Sequence, residues 1–403
     1  MKKKIFSFIK YALFFLCGIL LLAYLIAQIG DAEVKNSPFN ENTLELIKVK
    51  KVKEPAFLLK SEELKNSFTT IDKSKKEKIE EEMLTYFTYK ERLSLGLNKV
   101  GRDLAGANYF WVGLSLIMAL ISHWYRALRW NLLINTLGYK PRAIITFYSV
   151  LIGYLANVAV PRLGEVTRCG VLSKSENIPA DKLFGTVLLE RGIDLLCLLA
   201  LVIIAFVLQL DVLSGFFGEV FIKEGDEAFS YLSIIKILGF VVSSVLLFYI
   251  LFRLALKLIR LTPWYIKIMR IIVGFISGLK TIKQLKEVRL FIFHTIMIWV
   301  GYFFMVYLCF PAYEPMVGLI KKPLVGLSTL VIGSLGMVAP VQGGIGAYHF
   351  CVQVCLQLYG YAKETALSFA FIVHTAQTLL IIVSGLSAFL LLPFTLKWLK
   401  KHE

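Results

Sequence analysis

Ile152-Gly-Tyr-Leu-Ala-Asn157-Val-Ala-Val-Pro161-Arg162-Leu-Gly164-Glu165-Val-Thr-Arg168 starts as an apolar helix and ends as a polar one. A continuous helix fails at Pro161, which lacks an N–H and clashes with the preceding turn, and Gly164 adds a second permissive position. Backbone freed by such a break is tolerated at membrane depth only inside protein or along a wet cavity. Into these otherwise apolar positions the stretch places one amide, Asn157, two guanidiniums, Arg162 and Arg168, and one carboxylate, Glu165. Isolated charges in hydrocarbon are costly, so these must pair or face water. Glu165 and Arg168 stand three apart and are expected to pair on one helical turn.

The rest of the chain says that the surroundings are a membrane. Of its 403 residues 57% are apolar and 18% charged, with a mean hydropathy of +0.69. Four stretches are long and apolar enough to cross a hydrocarbon core of roughly 30 Å. A soluble enzyme is excluded, and the net charge of +17 belongs to loops between spans rather than to a nucleic-acid surface. Five of the six cysteines lie in apolar runs and Cys169 at the edge of one, so no disulfide framework is expected. Cys351 and Cys355, with His349 nearby, read as small buried filling rather than a metal site, and no cofactor is implied.

Lys2, Lys3 and Lys4 precede an apolar run from Tyr11 to Ala27, too long for a signal-peptide core and without a cleavage site, so residues 1–30 are expected to form a first transmembrane helix. Residues 31–105 carry fifteen Lys and Arg against fourteen Asp and Glu and read as a solvated, partly helical insert, with a helix from about 75 to 94 behind a capping box at Ser74 to Glu77. Residues 106–396 form the multi-helix transmembrane domain and 397–403 a basic cytoplasmic tail. Its apolar segments read 107–122, 143–160, 183–210, 232–252, 289–310, 324–341, 345–359 and 365–392.

Loop charge sets the expected topology. Arg253 to Arg289 holds nine basic residues and one acid, whereas Asp211 to Phe229 holds five acids and one lysine, so the first is cytoplasmic and the second external. Arg126, Arg129, Lys140 and Arg142, and the closing Lys397, Lys400 and Lys401, are also assigned to the cytoplasm. These sides agree only if 143–178 enters from the cytoplasm and returns, breaking at Pro161, and 324–360 does the same from outside, breaking between Pro340 and Gly346. Ile152, Gly153, Leu155, Val158 and Ala159 recur 180 residues later as Ile332, Gly333, Leu335, Val338 and Ala339, and Pro161 and Gly164 recur as Pro340 and Gly343. The expected fold is therefore all-α and polytopic, with two inverted-topology repeats, each containing a Pro- and Gly-broken re-entrant hairpin.

The helix starting near 183 carries Glu190-Arg191-Gly-Ile-Asp194. Arg191 and Asp194 are spaced to pair, and Glu190 then needs a cation, for which Arg168 or Arg162 is the expected source. Such a network either staples the hairpin to the helix or holds guanidiniums as a forked receptor for phosphate. The second break, Pro340-Val-Gln342-Gly343-Gly344-Ile-Gly346-Ala-Tyr-His349, has no full charge. Its glycines permit close approach of backbone amides to an anion, or close helix packing, and His349 either titrates near neutrality or serves as a hydrogen-bonded fixture.

These residues together resemble the membrane region of lysylphosphatidylglycerol synthetases and their stand-alone relatives. The resemblance rests on Arg126-Ala-Leu-Arg129-Trp130, on Asn157 with Pro161-Arg162-Leu-Gly164-Glu165 and Arg168, on Glu190-Arg191 with Asp194, and on Pro340 with Gly343-Gly344-Ile-Gly346. It covers the first helix and about residues 107–392. It implies the movement of charged or glycosylated lipids between leaflets of the cytoplasmic (inner) membrane, with membrane lipids as partners and a lipid-modifying enzyme encoded separately. No soluble aminoacyl-transferase segment follows residue 392, so no synthetase activity is expected, and His349 stands where relatives carry a carboxylate, which leaves the headgroup charge open.

The expected function is translocation or presentation of a phospholipid or lipid-linked phosphate headgroup, driven by a gradient or by protons carried on Glu165, Glu190 or His349. An ion-coupled transporter of a soluble anion and a non-transporting envelope scaffold are the alternatives. A membrane-embedded enzyme is disfavoured: the sequence shows no Ser-His-Asp arrangement, HExxH, Asp-rich magnesium motif or nucleotide loop.

Overall fold

The computed structural model describes residues 2–35, 87–209, 285–339 and 341–402. The elements within them are α1 (Lys2–Lys35), α2 (Tyr89–Ala105), α3 (Tyr109–Asn135), α4 (Ala143–Ala159), α5 (Gly164–Glu176), α6 (Ala180–Leu208), α7 (Val288–Tyr307), α8 (Pro323–Val338), α9 (Ala347–Gln357) and α10 (Lys363–His402), joined in part by short 3-10 turns. No strand occurs among the described residues, and Leu16–Val34, α6, the α7 region and α10 are each long and apolar enough to cross a membrane. At about 1.5 Å per residue, the 40 residues of α10 exceed what one crossing needs. The protein is an all-helical polytopic membrane protein.

The described residues fall into two compact units. The first draws on Met1–Ser122, Tyr154–Gly164 and Val300–Ser387, the second on His123–Gly153, Glu165–Trp299 and Ala388–Glu403.

In the first unit, α2 lies across α1. Thr88 caps α2 by accepting from the Glu91 N–H, while the Glu91 carboxylate accepts from the Thr88 N–H, so the helix has its own start. A Cβ added at Gly96 would stand 1.9 Å from the Ile26 carbonyl oxygen, so only glycine allows this approach. Leu25, Ile26, Ile29 and Val100 pack there with Leu367 and Phe371, and Arg92 and Arg102 reach Asp31 and Glu33 at 3.2 and 2.7 Å. Residues 31–35 thus continue α1, and the last part of the expected insert is a helix docked on it. The capping box at Ser74 and the first part of the helix expected at 75–94 lie outside the described residues. So do the apolar run 232–252, the loop 211–229 and most of 253–289.

Both breaks are present as interruptions between helices. The first separates α4 from α5 through a turn at Pro161 and Arg162, where Arg162 takes the left-handed backbone with φ 63°. The second separates α8 from α9 through a turn at Gln342–Gly344, with Gly343, Gly344 and Gly346 all at positive φ. Pro340, expected to cause it, lies outside the described residues. Helices α8 and α9 close into a tight pair, since a Cβ at Gly336 would meet the Ala347 carbonyl oxygen at 2.8 Å. Helices α4 and α8 start and stop within one residue of the 180-residue offset read from the sequence.

Candidate functional site

The second unit buries a cluster of charge. Helix α3 runs on past the expected end at residue 122 to Asn135, and Arg126, Arg129 and Trp130 share one of its faces at i, i+3 and i+4. Helix α6 presents Glu190 and Asp194 at i, i+4, and α5 presents Arg168. Arg126 Nη1 donates to Glu190 Oε1 at 2.5 Å and to Asp194 Oδ2 at 2.8 Å, while Arg129 Nη2 donates to Asp194 Oδ1 at 2.6 Å. Arg168 Nη1 stands 3.1 Å from Glu190 Oε2. Arg129 and Glu190 are 0% exposed and Arg168 3%. Charges so far from water persist only when compensated, and here they compensate one another.

Aromatic rings flank two of the guanidiniums. Trp130 donates its indole N–H to Thr186 Oγ1 at 2.8 Å, which fixes the ring, and Arg168 Cζ lies 4.8 Å from that ring's centroid. Arg129 Cζ stands 5.8 Å from the Phe291 ring. Leu132, Leu133, Leu189, Leu285 and Phe291 pack into one apolar cluster of the same unit.

Among the described residues the cluster sets three guanidiniums against two carboxylates. Arg168 carries the surplus. Its Nη1 faces Glu190, while its Nε and Nη2 are buried with no hydrogen-bond partner among the described residues. Those two N–H groups form one edge of the guanidinium, the geometry that grips two oxygens of a carboxylate or phosphate at once.

Several expectations are redrawn. Glu165 pairs with Arg191 at 2.9 Å on the half-exposed margin, rather than with Arg168 three residues on. Arg191 stands 4.0 Å from Asp194, whose shorter contacts go to Arg126 and Arg129. Glu190 takes Arg168, as expected, and also Arg126. Arg162 is exposed and makes no ion pair among the described residues. Arg126 and Arg129, read from sequence only as cytoplasmic-side charges, are the buried centre. Two acids four apart in an apolar helix, and two arginines three apart beside a tryptophan, are the sequence signal that could have found them.

The first unit holds the neutral counterpart. Asn157 Oδ1 accepts from the Gly164 N–H at 2.6 Å, bridging the first break. Gln342 Nε2 donates to the carbonyls of Val158 and Ala159 at 2.6 and 2.8 Å, so the two breaks touch. Carbonyls at the end of α4 that have no helical partner are satisfied in this way. His349 is buried, and its Nδ1 accepts from the Gly346 N–H at 3.4 Å. Its ring lies 4.7 Å from that of His374, whose Nε2 meets the Gly343 carbonyl oxygen at 2.7 Å. Gly343 and Gly344 form the turn itself. His374 was not picked out from the sequence, where it is one histidine in a long apolar helix.

Paired interrupted helices and a buried arginine cluster define a polytopic membrane protein built around broken spans. The chain belongs to the family of the lysylphosphatidylglycerol synthase transmembrane region, which it matches over residues 85–385. It is also similar to a UPF0104 membrane protein of Methanocaldococcus jannaschii, with 33% identity over 125 residues, 30% of this chain and 37% of that protein. The matched part thus spans little more than a third of that relative. No solved structure matches the chain.

Proposed function

We propose that the protein moves a lipid with a phosphate-bearing headgroup between the leaflets of the cytoplasmic membrane, with both termini on the cytoplasmic side. The observation that carries the reading is Arg168, buried among the described residues with one complete guanidinium edge unpartnered, in a cluster that there has one cation more than its carboxylates balance. A phosphodiester brings one negative charge and two oxygens at the right spacing. An acyl chain stays in the bilayer while only the headgroup crosses, so a gap between apolar helices is enough. Membership of a family described by a lipid synthase supports a lipid over a free anion. The two glycine-bearing breaks, joined by Gln342, are the elements able to change conformation during a cycle.

Arg168→Met separates receptor from staple. It leaves two guanidiniums against two carboxylates, so the protein should lose much less than the roughly 3–5 kcal/mol that stranding a buried charge costs. In liposomes, wild-type protein should speed the equilibration of fluorescent phosphatidylglycerol measured by dithionite quenching, and the variant should not. Loss of stability together with activity returns the cluster to a structural role. Uptake of a soluble anion such as phosphate without lipid movement favours an anion transporter instead.

A further inference from the structure

The first unit contains a second set of ionisable groups, apart from the arginine cluster. His349 on α9 and His374 on α10 face each other with ring centroids 4.7 Å apart, and both hold the turn of the second break, at Gly346 and Gly343. Because a carbonyl only accepts, His374 must carry its proton on Nε2. Because Gly346 donates its N–H to His349 Nδ1, that nitrogen must be unprotonated and the His349 proton sits on Nε2. The turn as folded therefore requires His349 to be neutral.

The groups around the pair are uncharged. Tyr348 flanks both rings, at 6.1 Å from His349 and 5.3 Å from His374, and the Phe371 ring lies tilted against His349 at 4.4 Å. From α1, the Gly18 carbonyl and Leu21 pack at Gly346, and from α8, Met337 packs at Gly344. Among the described residues no Asp, Glu, Lys or Arg contacts either imidazole. With no carboxylate beside them among the described residues, a cation on either ring has no fixed counter-charge, so protonation of the pair and opening of the turn must go together.

A polar stripe leads to the pair. Gln353 lies one turn beyond His349 on α9, is buried, and has an unpartnered Oε1. Its amide donates at 3.0 Å to Gln357, a further turn on and exposed. His349, Gln353 and Gln357 thus run at i, i+4 and i+8 from the break to the surface end of the helix. Burying the Gln353 amide with its oxygen unpartnered is costly.

We propose that His349 and His374 form a proton-binding site that unlocks the second break. A proton that reaches the pair binds Nδ1 of His349. That turns an acceptor into a donor facing the Gly346 N–H, so their hydrogen bond breaks and the cationic ring is repelled from the start of α9. The same proton on His374 would leave its Nε2–H bond to Gly343 in place, so release acts through His349. This site stands whether the cargo is a lipid or a soluble anion.

Hydrogen exchange of the full-length protein in nanodiscs tests it. After correction for intrinsic rates, amides of residues 345–350 should exchange about tenfold faster at about pH 5 than at about pH 8. His349→Gln keeps an acceptor for the Gly346 N–H but cannot titrate, so it should fold and lose the response, whereas His374→Gln should retain it. An unchanged wild-type rate across that range, or the same acceleration in His349→Gln, overturns the proposal. Should His349→Gln not fold, nitrogen-15 histidine spectra of the wild type decide: His349 must pass from the Nε2–H tautomer to the cation within that range, and a ring that stays neutral refutes the site.

Discussion

The protein satisfies buried polar groups in two ways. In the second unit Arg126, Arg129 and Arg168 are balanced against Glu190 and Asp194 by full charges. In the first, the breaks at Asn157–Gly164 and Gln342–Gly346 are held by neutral amides and imidazoles on backbone groups. In a charge cluster, removing a carboxylate leaves cations bare in a medium that cannot solvate them, whereas removing the surplus cation does not. A neutral hydrogen bond costs little to break and remake. Charge therefore suits a receptor that must stay rigid, and neutral bonds suit a turn that must move.

The contrast is broken most severely at Glu190. Glu190→Gln keeps the shape but removes the carboxylate shared by Arg126 and Arg168, leaving three guanidiniums to Asp194 alone. A loss of about 3–5 kcal/mol is expected, seen as poor accumulation and a depressed melting temperature in detergent. Adding Arg168→Met removes one cation and should recover much of the loss. If the double variant is no better than the single, the surplus positive charge is not what destabilises the cluster.

What could be read from the sequence follows the same division. Pro161 and Gly164 announce the first break because they act on their own backbone, and Glu190 and Asp194 announce a buried network because acids in an apolar helix demand cations. Which cations answer is a matter of packing between helices. The spacing of Glu165 and Arg168 permits a pair, yet the Arg168 guanidinium is drawn to Glu190 and the Trp130 face, and Glu165 turns to Arg191. Arg126 and Arg129 follow an apolar run read as ending at residue 122, so the sequence treated them as orientation signals and not as members of a buried cluster on a longer helix. The docking of α2 on α1 was hidden because residues 89–105 are too polar for a span; Gly96 shows its meaning only once Ile26 lies against it.

A smaller effect is expected where neutral bonds join the two breaks. Gln342→Ala removes two donors and strands the Val158 and Ala159 carbonyls. The cost is about 1–3 kcal/mol, below that of Glu190→Gln, and Gln342→Asn, too short to reach both, should fall between. Thermal unfolding in detergent ranks them. A loss at Gln342 equal to that at Glu190 would mean that the breaks are as rigidly held as the charges.

The smallest expected change is at Asn157, and it asks whether the first break needs an acceptor or a neutral group. Asn157 Oδ1 accepts from the N–H of Gly164, the residue that begins α5, so it does the work of a helix cap from seven residues upstream. Asn157→Ala should cost about 1 kcal/mol. Asn157→Asp offers an oxygen in the same place and adds a charge favoured at a helix N-terminus. If an acceptor is all that is needed, Asp matches or exceeds Asn in melting temperature while Ala falls below both. If Asp is worse than Ala, neutrality at this depth matters more than the hydrogen bond, because an ionised carboxylate with no cation beside it is costlier than an unpaired N–H. That result would sharpen the contrast: a buried carboxylate is admitted where arginines balance it and disfavoured where a neutral amide holds the turn.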